Sequence, residues 1–138
     1  MNALPIRHLQ HIGIPVTSID RSIRFYHNLG FVNSMMSTFD RPGGKGHVAM
    51  MKMGDITIEL YEMPADELEE VKLRKHGHVD HIAFDVANID EVFGDCLKRG
   101  LAIQEPAPVL LPRFWDSGCK YFNIVGPDGE KLEFNQIL

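Results

Sequence analysis

HLQHIGIPVTSIDRSIRFYHNLGF, residues 8–31, aligns without a gap on HVDHIAFDVANIDEVFGDCLKRGL, residues 78–101, at an offset of seventy. His8/His78, His11/His81, Ile12/Ile82, Val16/Val86, Ile19/Ile89, Asp20/Asp90 and Gly30/Gly100 are identical. Self-similarity at a fixed offset marks a chain assembled from a repeated supersecondary unit. A second match, at an offset of seventy-four, sets MKMGDITIEL beside IVGPDGEKLEF, so that Glu59 falls on Glu133. The four extra residues belong in loops.

Each copy opens with an apolar stretch of strand length and period two. Ile12, Ile14 and Val16 share one face and His11, Gly13 and Pro15 the other; in the second copy Ile82, Phe84 and Val86 oppose His81, Ala83 and Asp85. A helix follows in each. Ser18 and Asn88 are the N-caps, the second strengthened by Glu91, and Gly30 and Gly100 stand where a left-handed C-cap belongs. Three more strands complete each copy: about Val32 to Phe39, Val48 to Met53 and Asp55 to Tyr61, then about Ala102 to Glu105, Lys120 to Val125 and Lys131 to Ile137. The turns MGD and GPDG join the last two of each as hairpins. The pattern is βαβββ, twice: an α+β chain of one domain, with module one at about 6–63, module two at about 78–138, and a charged linker at 64–77 predicted to be a short solvated helix.

Composition narrows the function. A chain of 138 residues with 44% hydrophobic and 24% charged residues buries a full core without staples. Fourteen basic against nineteen acidic residues leave a net charge of −5 with no basic stripe, so nucleic acid is excluded as a partner. No stretch has the length of a membrane span or signal peptide, which predicts a cytoplasmic protein with no membrane partner. Cys96 and Cys119 fit no metal or redox spacing and are expected as structural thiols.

Four residues carry the chemistry. Ile56, Ile58 and Leu60 point away from Glu59, as Leu132 and Phe134 point away from Glu133. If helices cover the apolar faces, His11, Glu59, His81 and Glu133 all project from the uncovered side, two from each copy. Two imidazoles and two carboxylates form a ligand set for a divalent transition ion, and Gly13 and Ala83 beside the histidines leave room for it. One histidine at a strand start is ordinarily a satisfied core or surface group. Recurrence of the whole couple, in register and with the same facing, favours a site.

HIGIPV, HIAFDV, ITIELYE and GPDGEKLEF resemble the vicinal oxygen chelate superfamily, which includes glyoxalase I, CoA-thioester epimerases, extradiol dioxygenases and fosfomycin- and bleomycin-resistance proteins. The resemblance covers roughly residues 6–138. It implies paired βαβββ modules in a U-shaped, partly open barrel around a metal, within a homodimer. In glyoxalase I the ligands run His, Glu, His, Glu, which maps them onto His11, Glu59, His81 and Glu133. The epimerases typically carry Gln where Glu59 stands, so Glu59 favours the glyoxalase-like branch.

That resemblance implies a metal-dependent lyase or isomerase of the lactoylglutathione lyase kind, acting through an enediolate on the hemithioacetal of a 2-oxoaldehyde and a thiol. The cofactor is one divalent ion, nickel, zinc, cobalt or manganese. Glu133 is the implied base, with Glu59 as ligand and partner on the other face. One departure is plain: glyoxalase I tends to have an arginine late in the first strand for the thiol cofactor's carboxylate, whereas this chain reads IGIPV with Pro15, which speaks against glutathione. The loop APVLLPRFWDSGCK offers Arg113 as a fork for a carboxylate or phosphate and Phe114 and Trp115 as apolar walls, or else as an aromatic anchor. On strand parity His47, Met51, Tyr121 and Asn123 are expected to face the same cavity. Two other readings stand beside this one: a methylmalonyl-CoA-type epimerase using the same chemistry, and a non-catalytic protein that holds a drug or metabolite.

Overall fold

The computed structural model describes residues 2–74, 79–125, 127 and 131–138. Two compact units divide the chain, one of residues 11–80 and the other of residues 1–10 and 81–138. The division falls inside the first strand, β1 (Ile6–Pro15).

In the unit of residues 11–80, β1 leads into α1 (Ile19–Asn28), then β2 (Val32–Arg41), β3 (Gly44–Met53), β4 (Ile56–Glu62) and α2 (Ala65–Leu73). The strand order is β2-β3-β4-β1, with β1 parallel to β4 and the other pairs antiparallel. Ser18 caps α1 by accepting the N–H of Arg21. The helix stops at Gly30, whose φ of 104° lets its N–H reach His27 O while Phe31 N–H reaches Tyr26 O. Ile19, Phe31, Ala49, Met51, Ile58 and Leu60 form the core between helix and sheet, joined by Ile14, Val16, Ile23 and Tyr26. The linker helix is present as α2, with Arg41 donating to Glu67 at 3.0 Å from the tip of β2. Both groups are well exposed, so the pair adds little to stability. Lys75 to His78 lie outside the described residues.

The other unit repeats the plan with β5 (His81–Val86), α3 (Ile89–Lys98), β6 (Val109–Leu111), β7 (Cys119–Val125) and β8 (Lys131–Ile137) in the order β5-β8-β7-β6. Asn88 caps α3 through the N–H of Glu91, and Gly100, at φ 67°, ends it with the same two bonds, Gly100 N–H to Leu97 O and Leu101 N–H to Cys96 O. Val86, Ile89, Val92, Cys96, Phe122 and Phe134 form its core. Phe122 and Phe134 stack at 5.1 Å between ring centroids, each burial stabilising the unit by about 1.5–3 kcal/mol.

Two strand expectations need correction. The strand predicted at Ala102–Glu105 is reduced to a single bridge, Ile103 to Ile124, and the outer strand proper is Val109–Leu111. Pro106, Pro108 and Pro112 have no N–H, so a long ladder here would lack donors. In the first unit, β2 and β3 are each ten residues long and extend to a two-residue turn at Pro42 and Gly43, beyond the predicted ends. The GPDG turn lies mostly outside the described residues.

Candidate functional site

Register decides which side chains share a face. In the unit of residues 11–80, Gly13 pairs with Glu59 and Pro15 with Tyr61, so alternation puts His11, Gly13, Glu59 and Tyr61 on the face away from α1. His11 is buried, and its Nε2 lies 3.8 Å from Glu59 Oε2. Beside Glu59, the half-buried Tyr61 is hydrogen-bonded through its hydroxyl to Asp80. Burial first, then the charge and hydrogen bond of Asp80 and the charge of Glu59, push this phenol far above its ordinary range. Tyr61 is therefore a neutral donor on the face that carries the carboxylate.

In the second unit, Ala83 pairs with Glu133, Asp85 with Asn135 and Asn123 with Glu133. His81, Ala83, Asp85, Glu133, Asn135, Tyr121 and Asn123 thus share the face opposite Phe122 and Phe134. His81 Nε2 stands 3.3 Å from Glu133 Oε2, both groups buried. Glu133 Oε1 accepts from Asn135 Nδ2 at 2.8 Å. Asn135 Oδ1 accepts from Gln10 Nε2 at 3.0 Å, and the same nitrogen lies 3.4 Å from Asp85 Oδ1. Arg7 pairs with the other oxygen of Asp85. None of Arg7, Gln10, Asp85 or Asn135 stands out from the repeat, although a mid-strand aspartate in HIAFDV, on the histidine side, is a signal that a polar partner must meet it.

Asn123 is held by Glu105, which accepts from its backbone N–H at 2.6 Å and its Nδ2 at 2.7 Å. Its Oδ1 is buried and has no hydrogen-bond partner among the described residues. Tyr121 is half-buried on the same face. In the loop after β6, Phe114 is buried and meets Trp115 edge to face at 6.1 Å, which makes Phe114 the anchor of the loop; Trp115 is half-buried and Arg113 exposed. Trp115 takes a φ of 50°, a left-handed conformation that bulky side chains rarely adopt.

His47 and Met51 are not brought to the face of Glu59. His47 pairs with Glu62 and Met51 with Ile58, which places both on the α1 side. Met51 belongs to the core and His47 is exposed. The run Val48, Ala49, Met50, Met51 is buried on both faces, so it has no alternation to fix parity. Met50, opposite Glu59, occupies the place expected of Met51. His8 is exposed, 3.9 Å from Asp85, and His27 lies in the last turn of α1, at the negative end of the helix dipole. A groove lined by Ile23, Arg24, His27, Asn28 and Asn33 contains none of the candidate ligands.

In each unit the imidazole and the carboxylate stand at a spacing that two ligands of one divalent ion can share. Two ligand atoms each about 2.1 Å from one ion are about 3–4 Å apart, and the two imidazole-carboxylate separations, 3.8 and 3.3 Å, fall in that range. The Glu133 carboxylate is further restrained by the hydrogen bond from Asn135, and Tyr61 lies close enough to Glu59 to feel its charge.

Comparison with known proteins follows this geometry. The model of the Glyoxalase/Bleomycin resistance protein/Dioxygenase superfamily matches residues 8–134. The uncharacterized protein YwbC of Bacillus subtilis (strain 168) is 30% identical over 134 residues, 94% of this chain and 98% of that protein. The solved structure of hypothetical protein BH1468 from Bacillus halodurans C-125 superposes with a TM-score of 0.75 at 27% identity, covering 95% of this chain and 94% of the other. Methylmalonyl-CoA epimerase from Mycobacterium tuberculosis reaches a TM-score of 0.82 at 18% identity, over 100% of this chain and 93% of that one, a likeness of fold. No helix among the described residues is long and apolar enough to cross a membrane. With its repeated βαβββ units and matching family model, this chain belongs to the Glyoxalase/Bleomycin resistance protein/Dioxygenase superfamily.

Proposed function

We propose that this protein is an enzyme that removes and returns a proton on the carbon next to a thioester carbonyl, as a CoA-thioester epimerase does, with methylmalonyl-CoA as the type substrate. The observation that carries the reading is the duplicated couple, His11 with Glu59 and His81 with Glu133. Inverting a carbon centre requires both a base and an acid, and each repeat contributes one glutamate suited to such a role. The fold likeness to a methylmalonyl-CoA epimerase agrees with this choice.

His11, Glu59, His81 and Glu133 would together hold one divalent cation. Such an ion, when bound, polarises neighbouring substrate oxygens and stabilises the negative charge that develops as the proton leaves. Glu133 would take the proton and Glu59 would return one. Tyr61, kept protonated by burial and by Asp80, to which its single hydroxyl proton is donated, keeps a neutral group beside Glu59.

A second reading is hemithioacetal isomerisation of the glyoxalase I type, and Glu59 favours it, since the epimerases resembled by the sequence typically carry Gln there. One experiment separates the two. The purified protein, reloaded with nickel, cobalt, zinc or manganese, is given methylmalonyl-CoA in D2O, and in parallel methylglyoxal with several thiols. Deuterium uptake at the alpha carbon is the expected result; thioester formation from methylglyoxal without that uptake would move the assignment to the lyase, and neither activity with any metal would sink the enzymatic reading.

A further inference from the structure

We infer that Asn135 is a positioning residue for Glu133, the last link of a partly buried clasp that fixes which way the carboxylate points; this rests on the reading of Glu133 as proton acceptor. Glu133 offers two oxygens. Oε2 is 3.3 Å from His81 Nε2, and Oε1 accepts from Asn135 Nδ2 at 2.8 Å, so neither end of the carboxylate is left to rotate.

An amide is a reliable guide only if it cannot flip. The Asn135 side chain is oriented by Gln10, whose Nε2 donates to Asn135 Oδ1 at 3.0 Å. A flip would set two N–H groups against each other at Gln10 and two acceptors against each other at Glu133. Gln10 is oriented in turn, because the same Nε2 also faces the carboxylate of Asp85 at 3.4 Å and the backbone oxygen of Asn135 at 3.3 Å. Asp85 is buried and is paired with Arg7. The polarity of the whole chain of contacts therefore starts from one ion pair and ends at the reacting carboxylate. Asp85, Asn135 and Glu133 are all almost fully buried, so water does not readily replace a missing link. Outer partners of this kind tune ligand affinity and activity by about 10–100-fold.

The test is a double-variant cycle on the full chain, read by deuterium uptake of methylmalonyl-CoA and, separately, by titration of the metal-free protein with Co2+ followed by visible absorption. Asn135→Leu should lower kcat by about 10–100-fold with KM changed less than about threefold, and weaken Co2+ by a similar factor. In a Glu133→Gln background the added Asn135→Leu change should cost less than about twofold, since the group it orients has gone. If Asn135→Leu fails to fold, Gln10→Leu removes the orienting donor and should produce the same pattern at smaller size.

Equal losses in both backgrounds, or a rise in KM with kcat intact, would overturn the positioning role. Should Glu133→Gln itself exchange at the parental rate, the proposed reaction falls. The Co2+ titration still decides the clasp, which stands if Asn135→Leu weakens the ion and falls if it does not.

Discussion

The carboxylate of Glu62 accepts a hydrogen bond from the backbone N–H of Ile19 at 2.7 Å. Seventy-four residues on, the Gln136 amide oxygen accepts from the N–H of Ile89 at 3.0 Å. Each side chain sits on the last strand of its repeat and caps the first turn of that repeat's helix, meeting a donor the helix leaves unsatisfied. Glu62→Ala and Gln136→Ala should each destabilise the protein by about 1 kcal/mol and lower Tm by about 3–5 °C. Calorimetry on the two variants checks this, and an unchanged melting temperature in both would show that water caps these helices equally well.

Tyr61 sets an alkaline limit. Burial and the neighbouring Asp80 and Glu59 carboxylates favour its neutral phenol in the folded chain, whereas the unfolded phenol ionises near pH 10. A raised folded pKa contributes stability that is fully present below pH about 10 and is lost as pH rises beyond it. Urea midpoints measured between pH 8 and 11 should fall above pH 10 in the parent and fall less steeply in Tyr61→Phe. Parallel curves for the two proteins would refute the assignment.

The ligand couples predict a metal dependence that ordinary stability does not share. His11→Ala and His81→Ala should each abolish stoichiometric retention of a divalent ion, read by elemental analysis after gel filtration. Glu133→Gln should reduce proton exchange by about 10²–10⁴-fold. Removing the metal with a chelator should silence exchange in the parent and restore it on reloading. Full activity in the chelated protein would leave the couples as structural pairs.

Gly118 predicts a loop that tolerates no side chain. Its φ is 89°, and an added Cβ would lie 2.9 Å from Leu111 O and 3.1 Å from Pro112 Cα, both backbone atoms that have no rotamer to change. Gly118→Ala should cost about 1–3 kcal/mol and release the Trp115 ring, visible as a shift in the fluorescence of this single tryptophan. An unshifted emission maximum with parental stability would show that the loop has room to move.

The repeat was readable because duplication writes each signal twice. Ser18 and Asn88 cap, Gly30 and Gly100 turn left-handed, and His11 and His81 keep the parity of Glu59 and Glu133, as the registers now show. Where one copy departs from the other, reading failed. The prolines of 106–112 dissolved a strand whose counterpart is ten residues long. Parity was lost at Met50 and Met51 because a strand covered on both faces has no polar residues to mark its sides. Nor could the clasp at Glu133 be foreseen, since Arg7 and Gln10 reach Asp85 and Asn135 across more than seventy positions of sequence. Asn123 illustrates the remaining gap: its facing follows from alternation, but Glu105 as its anchor comes from an irregular loop.

The split of β1 bears on how the gene can be cut. Residues 6–10 group with 81–138, so a fragment expressed from position 78 onward would lack Arg7 and Gln10 and carry Asp85 with no cation to meet it. A circular permutant opened between the repeats keeps those contacts, provided the old termini are joined by a tether. Dissection at the obvious linker would thus separate two sequence repeats without yielding two self-sufficient folding units.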